Sequence, residues 1–424
     1  MAAVTPTLQN RIQSLDVMRG FAILMILLAN IWAFSRPEIG YAFFGYPELP
    51  SGELLAEAIR EAFVSGKFRG MLAFLFGVGM MLQFNKRTHA DGQKWPGSYL
   101  KRTFLLILLG FIHGLFVWYG DILLLYGVTA LAAMWLVKFN NKVLFWIAMG
   151  LMFVALIVGL GQMAGAGTDR TGGLDLFDYF LPANETRIFA TGSYLEQLQY
   201  RGWFTILMLF QLPFMLPHIG SMFLFGMIVG RTGVLAAPSK NPRLTRTLSL
   251  IGIGGLVINL LNIPIALNTD LAYSDLIENG LNVPLAIGYV IWIAIIVEKG
   301  WLKPVTSMFA MVGKVALTVY LSTSLLCCAI FYSWGGGLFG KLTYAQHYGV
   351  VFGVWVLLIL LAALWTKKFA MGPIEWLWRS ASSGSKAPLT KAGALDAIDG
   401  IAPPPIAPPP AAPTYDPNRS SWPQ

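Results

Sequence analysis

Charged residues are scarce in this sequence of 424 residues, of which only 12% are Asp, Glu, Lys or Arg. Hydrophobic residues make up 56% and the mean hydropathy is +0.62, which excludes an ordinary water-soluble domain of this length. The sequence also lacks the phosphate-loop, nucleophile-elbow and zinc-protease motifs of soluble enzymes. Any chemistry must therefore come from polar groups held between apolar helices.

Cysteine is almost absent, and the two that occur, Cys327 and Cys328, are adjacent within an apolar run. Neighbouring cysteines bridge only with severe strain, so we expect neither a disulfide framework nor a metal cofactor. The net charge is +9, but the basic residues are spread over short loops between apolar runs. Such loops contact lipid head groups, so we expect membrane lipids as partners and no nucleic acid.

Ten apolar runs are long enough, or nearly so, to span a bilayer, which requires about 17 to 25 residues. They lie at 20–35, 69–85, 103–119, 122–137, 143–166, 207–230, 248–267, 281–297, 312–333 and 349–366. The pattern predicts an all-α, polytopic transmembrane bundle of about ten helices.

Charge alternates between the connecting loops. Those after the second, fourth, sixth and eighth runs are rich in Lys and Arg, whereas those after the fifth and seventh are rich in Asp and Glu. Basic loops face the cytoplasm by the positive-inside rule. With an even number of spans, both termini are then predicted to be cytoplasmic.

The composition changes abruptly at Ser382. A Ser/Gly segment is followed by a Pro/Ala tract at 402–413 and a polar end. Such a composition cannot bury enough apolar surface to fold. We therefore predict a membrane domain at 1–381 and a disordered cytoplasmic tail at 382–424.

The first candidate site is the pair Asp16 and Arg19 at the mouth of the first apolar run, with Asn30 further along. Charges at that depth are costly and persist where they pair or face a polar cavity. Asn30 lies about 15 Å deeper than Gly20 on a helix, near the midplane. A substrate-binding or charge-relay role competes with a plain structural one, in which Arg19 snorkels and Asn30 bonds a neighbouring helix.

The second candidate is His113, which is flanked by Gly110 and Gly114. This G-x-x-x-G spacing allows another backbone to approach closely. Burial disfavours the imidazolium cation, so the ring is expected to be neutral, as a general base or nucleophile requires. The structural alternative is a histidine bonded to a helix carbonyl.

The third candidate is Asp121, which the predicted topology places at the same face as Lys67 and Arg69. An ion pair that fixes the hairpin is one interpretation. A charge cluster in which Arg69 and Asp121 meet a substrate is the other.

The fourth candidate is the segment around Glu375, Trp376 and Arg379. Glu375 and Arg379 are spaced as i, i+4 partners on a helix, and tryptophan is typical of the membrane interface. We interpret this group as a structural motif.

Four segments together resemble a known family. They read RIQSLDVMRGFAILMILLANI, GKFRGMLAFLFGVGM, LLGFIHGLFVWYGDILLLYG, and GKVALTVYLSTS followed later by FAMGPIEWLWRS. In this order, over roughly residues 11–380, they resemble the YeiB-like proteins of the bacterial inner membrane, or domain of unknown function 418 (DUF418). The family's C-terminal portion would lie at about 230–381. The family is placed by similarity with membrane acyltransferases, among them heparan-glucosaminide acetyltransferase and the acyltransferase-3 group.

The resemblance implies an enzyme that moves an acyl group from cytoplasmic acyl-CoA to a glycan or small acceptor. The S-L-D-x-x-R-G pattern, with a later Met and Asn, corresponds to Ser14, Leu15, Asp16, Arg19, Gly20, Met25 and Asn30. The catalytic histidine that follows this Asn in the heparan-glucosaminide enzymes has no counterpart here, and His113 is the residue placed to substitute. His113 would then act as base or transient acyl carrier and Asn30 as oxyanion donor, while Lys101 and Arg102 would hold the CoA phosphates.

Two other functions stay open. A transporter or exporter would use Asp16 with Arg19, and Asp121 with Arg69, as gates at the two faces. A non-catalytic scaffold of an envelope complex, or a homo-oligomer, would use the bundle as a surface.

Overall fold

The computed structural model describes residues 12–90, 94–164, 175–268 and 281–392. Within these ranges the chain forms helices and one isolated β-bridge, so the predicted all-α class is confirmed. The α-helices are α1 (Gln13–Ser35), α2 (Glu38–Phe44), α3 (Ser51–Phe63), α4 (Lys67–Asn85), α5 (Ser98–Phe116), α6 (Leu123–Ala133), α7 (Asn141–Ala164), α8 (Pro182–Ala190), α9 (Tyr194–Gly230), α10 (Pro242–Asn268), α11 (Val283–Glu298), α12 (Lys303–Lys314), α13 (Ala316–Phe331), α14 (Tyr344–Lys368) and α15 (Pro373–Ser383).

The bundle is polytopic by the length and apolarity of its helices. Seven segments among the described residues can each cross a membrane, and the pair α11 and α12, bent by 118°, adds an eighth if it is counted as one span. Every one of the ten predicted runs coincides with a helix. However, α6 and α13 have only 11 and 16 residues and are too short to cross a bilayer alone. The cytoplasmic placement of both termini stays a prediction.

Helices α1 and α12 cross at a point where only glycine fits. A Cβ atom on Gly20 would lie 1.9 Å from the carbonyl oxygen of Phe309, and one on Gly313 would lie 1.8 Å from that of Asp16. Small residues at such contacts let two backbones meet. The glycine that follows Arg19 in the sequence pattern is therefore explained by packing.

Helices α5 and α6 form a hairpin that also contains a close backbone contact. A Cβ atom on Gly110 would lie 2.3 Å from the backbone nitrogen of Leu124. The expectation that another backbone approaches here is thus confirmed at Gly110, where that backbone is the start of α6, whereas a Cβ atom on Gly114 would meet the Asp121 side chain at 3.5 Å. At the far end of α5, the Arg201 side chain donates from Nε to the carbonyl of Leu115 at 2.8 Å. These contacts fix His113 against the turn that carries Asp121.

The segment after α15 folds back onto the bundle. The Ala370 amide donates to the carbonyl of Leu389 at 2.9 Å, and Trp376 Nε1 donates to that of Ala387 at 2.8 Å. Ser382 is buried. The predicted tail boundary at Ser382 therefore falls within a packed segment, and residues 393–424 lie outside the described residues.

These contacts predict different effects for two truncations. Deleting 393–424 should leave the thermal midpoint nearly unchanged, because a Pro/Ala-rich segment adds no core. Deleting 382–424 also removes the partner of Trp376 Nε1 and should lower the midpoint by several degrees, at about 2 to 4 °C per kcal/mol. Thermal unfolding of the purified proteins in detergent measures both. Equal midpoints for the two truncations would contradict the packing role of 382–392.

Candidate functional site

Two side chains from the hairpin of α5 and α6 and a third from far along the chain meet in one buried group. His113 of α5 places Nδ1 at 2.7 Å from Oδ2 of Asp121, which precedes α6. The hydroxyl of Tyr320, on α13, donates to the same oxygen at 3.3 Å, and the Leu124 amide donates to Oδ1 at 2.8 Å. The side chains of His113 and Asp121 are only 2% and 4% exposed. We call His113, Asp121 and Tyr320 the triad.

The bond to Asp121 fixes which imidazole nitrogen faces the carboxylate. A carboxylate accepts hydrogen bonds, so Nδ1 of His113 is the donor. Within the described residues Nε2 has no hydrogen-bond partner. A histidine oriented by a carboxylate is an arrangement that general bases use, and here its other nitrogen, Nε2, is buried.

Asp121 was predicted to meet Lys67 and Arg69, and the structure shows it bonded to His113. Lys67 instead donates from Nζ to the carbonyl oxygen of Glu61. Arg69 lies in the wall of a cavity that Asp121 also lines. The sequence identified the charged residues of this region but not the bond between Asp121 and His113.

That cavity has a volume of about 280 Å³, and we call it the Asn30 cavity. Its lining residues are Ile26, Ala29, Asn30, Gly66, Arg69, Gly110, Phe111, Gly114, Tyr119, Gly120, Asp121, Ile122, Leu124, Leu125, Phe204, Thr205, Met208, Leu212 and Met215. The Asn30 side chain makes no hydrogen bond in the described part of the chain. An amide left without a partner in an apolar helix wall is available to a ligand.

A second, larger cavity of about 420 Å³ is lined by four cationic side chains and one carboxylate among apolar residues. We call it the basic cavity; the charged members are Arg19, Arg102, Lys314, Glu375 and Arg379. Nη1 of Arg19 lies 3.3 Å from Oδ1 of Asp16, so the pairing predicted for the first candidate is confirmed.

Arg102 is held in the wall of the basic cavity by three neighbours. Its Nη1 donates to Oε1 of Gln83 at 2.7 Å and its Nε to Oγ of Ser382 at 3.3 Å, while Trp378 donates to its carbonyl at 3.2 Å. Lys101 is exposed and lies outside the wall of this cavity. The structure thus brings only Arg102 of that predicted pair to the basic cavity.

Glu375 caps another helix. Its Oε1 accepts from the amides of Leu317 and Thr318, at 2.7 and 3.2 Å, in the first turn of α13. A carboxylate at a helix N-terminus is stabilising by about 0.3 to 1 kcal/mol. This capping positions α13, and with it Tyr320, against the basic cavity. Sequence spacing pointed instead to Arg379 as the partner of Glu375.

The two cavities meet at the triad. Ile122 lines both; Asp121 belongs to the wall of the Asn30 cavity and Tyr320 to that of the basic cavity. The Tyr320 hydroxyl also accepts from the Ile122 amide at 3.2 Å. The hydrogen-bonded residues Asp121, Ile122 and Tyr320 therefore lie at the boundary between the two cavities. Among the residues that the structure describes, no three His, Cys, Asp or Glu side chains converge as metal ligands would.

Comparison with known proteins places the chain in a family. The family model described as "Protein of unknown function (DUF418)" matches residues 229–385. The uncharacterized protein YeiB of Escherichia coli (strain K12) is 31% identical over 402 residues, covering 88% of this chain and 97% of YeiB. The chain belongs to the DUF418 family. The uncharacterized protein YxaH of Bacillus subtilis (strain 168) is 30% identical over 410 residues, covering 92% of this chain and 99% of YxaH.

Only part of the site lies within the region that matches the DUF418 model. The matched region, 229–385, includes α10 to α15 and supplies Lys314, Tyr320 and Glu375. His113 and Asp121 precede it, within the nearly full-length similarity to YeiB and YxaH. In this DUF418 protein the site is therefore assembled from both halves of the chain.

Proposed function

We propose that this membrane protein is an acyltransferase, which takes an acyl group from acyl-CoA in the basic cavity and gives it to an acceptor in the Asn30 cavity. The acceptor is a glycan or a small molecule with a hydroxyl or amine. The observation that carries the proposal is that two cavities of different chemistry meet at Ile122 and at the hydrogen-bonded Asp121 and Tyr320, where Asp121 also bonds the buried His113. The protein would act in the bacterial inner membrane, with the basic cavity open to the cytoplasm.

The basic cavity suits an acyl-CoA donor in charge and shape. Guanidinium and ammonium groups bind phosphate through charge-assisted hydrogen bonds. Along α4, the lining extends from Gln83 to Leu72, a length of about 16 Å at 1.5 Å per residue. The phosphates would bind near Arg102 and Lys314, and the slender thioester arm would lie in the apolar part and end near Tyr320.

The triad supplies the chemistry of transfer. Nε2 of His113 removes a proton from the acceptor hydroxyl as the hydroxyl oxygen forms a bond to the acyl carbon. The carbon–sulfur bond then breaks, and the leaving thiolate takes the proton from the imidazolium. The Asp121 carboxylate stabilises that imidazolium while it exists.

Asn30 would stabilise the negative charge that develops on the acyl oxygen. Its amide lines the same cavity as Asp121 and has no competing hydrogen bond among the described residues. A donor of this kind contributes about 10² to 10³ in rate. Arg69, in the same wall, would bind the acceptor.

Transport is the second candidate function. Two cavities that meet at a layer of hydrogen-bonded residues also suit a carrier with alternating access. A transporter would move its substrate without consuming acyl-CoA, and its rate would depend on an ion gradient. Acyl-CoA turnover by purified protein in nanodiscs, where no gradient exists, separates the two functions.

A matched pair of lysine variants tests the donor site. Lys314→Gln should raise the dissociation constant for acetyl-CoA about tenfold, the loss expected for one charge-assisted contact of about 1.5 kcal/mol. Lys101→Gln is the control, because Lys101 is exposed and outside the cavity. Calorimetric titration in nanodiscs measures both. Equal weakening in the two variants, or no binding by the unmodified protein, would reject the donor site.

A further inference from the structure

We infer that the acceptor is an amphiphile that enters the Asn30 cavity sideways from the bilayer, with its polar head group at Asn30 and its apolar chain between α5 and α9. This inference rests on the proposed function and names the acceptor class that the proposal leaves open. Three observations carry it: the polarity of the cavity walls, the exposure of its rim and the position of the base.

The elements that line the Asn30 cavity differ in polarity. The charged and amide side chains, Asn30, Arg69 and Asp121, come from α1, α4 and the turn before α6. Helix α9 contributes mainly apolar side chains: Phe204, Thr205, Met208, Leu212 and Met215. A ligand with a polar end and an apolar end matches this division, whereas a free sugar would leave the α9 wall uncovered.

The rim between α5 and α9 is apolar and exposed. Phe111, which lines the cavity, is 41% exposed, and its neighbours Leu108 and Ile112 are exposed as well. Helix α9, which supplies Met208 to the cavity wall, also carries exposed apolar side chains, among them Phe210 at 74%. Both helices can span a membrane, so these surfaces face lipid chains. A polar solute would have to cross this apolar rim, but a lipid-anchored one would already be there.

The base is bonded to a polar residue of the cavity wall, because His113 contacts Asp121. Gly110 and Gly114, which flank His113 on α5, both line the Asn30 cavity, as does Asp121. A head group beside Asn30 would therefore have its hydroxyls next to the triad, while its chain leaves past Phe111.

Photo-crosslinking tests the site independently of catalysis. The probe is dodecyl glucoside with a diazirine in its alkyl chain, added to the full-length protein in phosphatidylglycerol nanodiscs. Adducts mapped by mass spectrometry should fall on residues of α5 and α9 that line the cavity. An excess of dodecyl glucoside should suppress them and an excess of glucose should not.

Two neighbouring variants on α9 make the test specific. Met208→Trp fills the cavity and should reduce these adducts at least about fivefold, whereas Leu209→Trp, at an exposed position, should not change them. Met208→Phe replaces the first variant if tryptophan prevents folding. Adducts that persist at wild-type level in the filled cavity, or that occur only on exposed residues, would overturn the inference.

Acyl transfer from acetyl-CoA separates this inference from the proposed function. Dodecyl glucoside should accept the acyl group at least about tenfold faster than glucose, because its chain occupies the α9 wall. Equal rates would overturn the amphiphile and leave the acyltransferase standing. Cavity-specific adducts without transfer to any acceptor would reject the acyltransferase but keep the amphiphile as the ligand of this cavity.

Discussion

Replacing His113 with asparagine is expected to lower acyl transfer by about 10³-fold while leaving the protein folded. An asparagine amide nitrogen can take the place of Nδ1 and keep the hydrogen bond to Asp121, but nothing replaces Nε2 as the base. His113→Ala should be equally inactive and less stable, since Asp121 would keep only the hydrogen bonds from Tyr320 and Leu124.

His347→Asn is the matched control. His347 is also a buried histidine in a membrane helix, but its Nδ1 lies 2.8 Å from the carbonyl of Thr343, which lines neither cavity, whereas His113 bonds Asp121 in the wall of the Asn30 cavity. The measurement is transfer of labelled acetyl groups from acetyl-CoA at matched amounts of folded protein. Full activity in His113→Asn would rule out the base, and an equal loss in His347→Asn would show that the effect is not specific.

Alanine at either glycine of the crossing between α1 and α12 is expected to prevent stable folding. The added Cβ of Gly20→Ala or Gly313→Ala would lie within 2 Å of a backbone carbonyl oxygen, so the helices would have to separate. Backbone cannot yield as a flexible side chain can, and the cost should exceed about 3 kcal/mol, the upper end of ordinary overpacking.

Gly150→Ala provides the control for these variants. Gly150 lies within α7, and a Cβ atom there would meet no heavy atom within 4 Å. Alanine should be neutral or stabilising at this position, by up to about 1 kcal/mol, because it favours the helix. Yield and thermal midpoint after detergent extraction measure all three variants. A wild-type midpoint in Gly20→Ala would refute the close crossing.

The spanning helices could be predicted from the sequence because each is an apolar run, and the chemistry of such a run does not depend on its partners. The short helices α2 and α8, and the amphipathic helices α12 and α15, fall outside that signal or only at its edge. Their apolar residues are interrupted by polar ones. What buries them is contact with the bundle, which no local pattern contains.

The site was predictable residue by residue but not in its connections. His113 and Asp121 were candidates, yet Asp121 was assigned to Lys67 and Arg69 because opposite charge was the only available indication of a partner. Tyr320 was missed altogether. A tyrosine in an apolar helix gives no sign of a bond to a carboxylate that is 199 residues away in the chain.

The basic cavity shows the same limit. Its four cations come from α1, α5, α12 and α15, and in the sequence they resemble the Lys and Arg that end membrane helices in general. Their convergence depends on the tertiary fold, including the cap that Glu375 makes on α13.

The close crossing at Gly20 and Gly313 is the point about which α1 would tilt. Arg19 is next to this point, whereas Asn30 lies about 15 Å along the helix from it. A small tilt of α1 about this crossing would barely displace Arg19 but would displace Asn30 much further. The basic cavity, which Arg19 lines, would therefore keep its dimensions while the Asn30 cavity widens or narrows. The donor would thus bind in a rigid cavity, and the acceptor in a cavity of adjustable width.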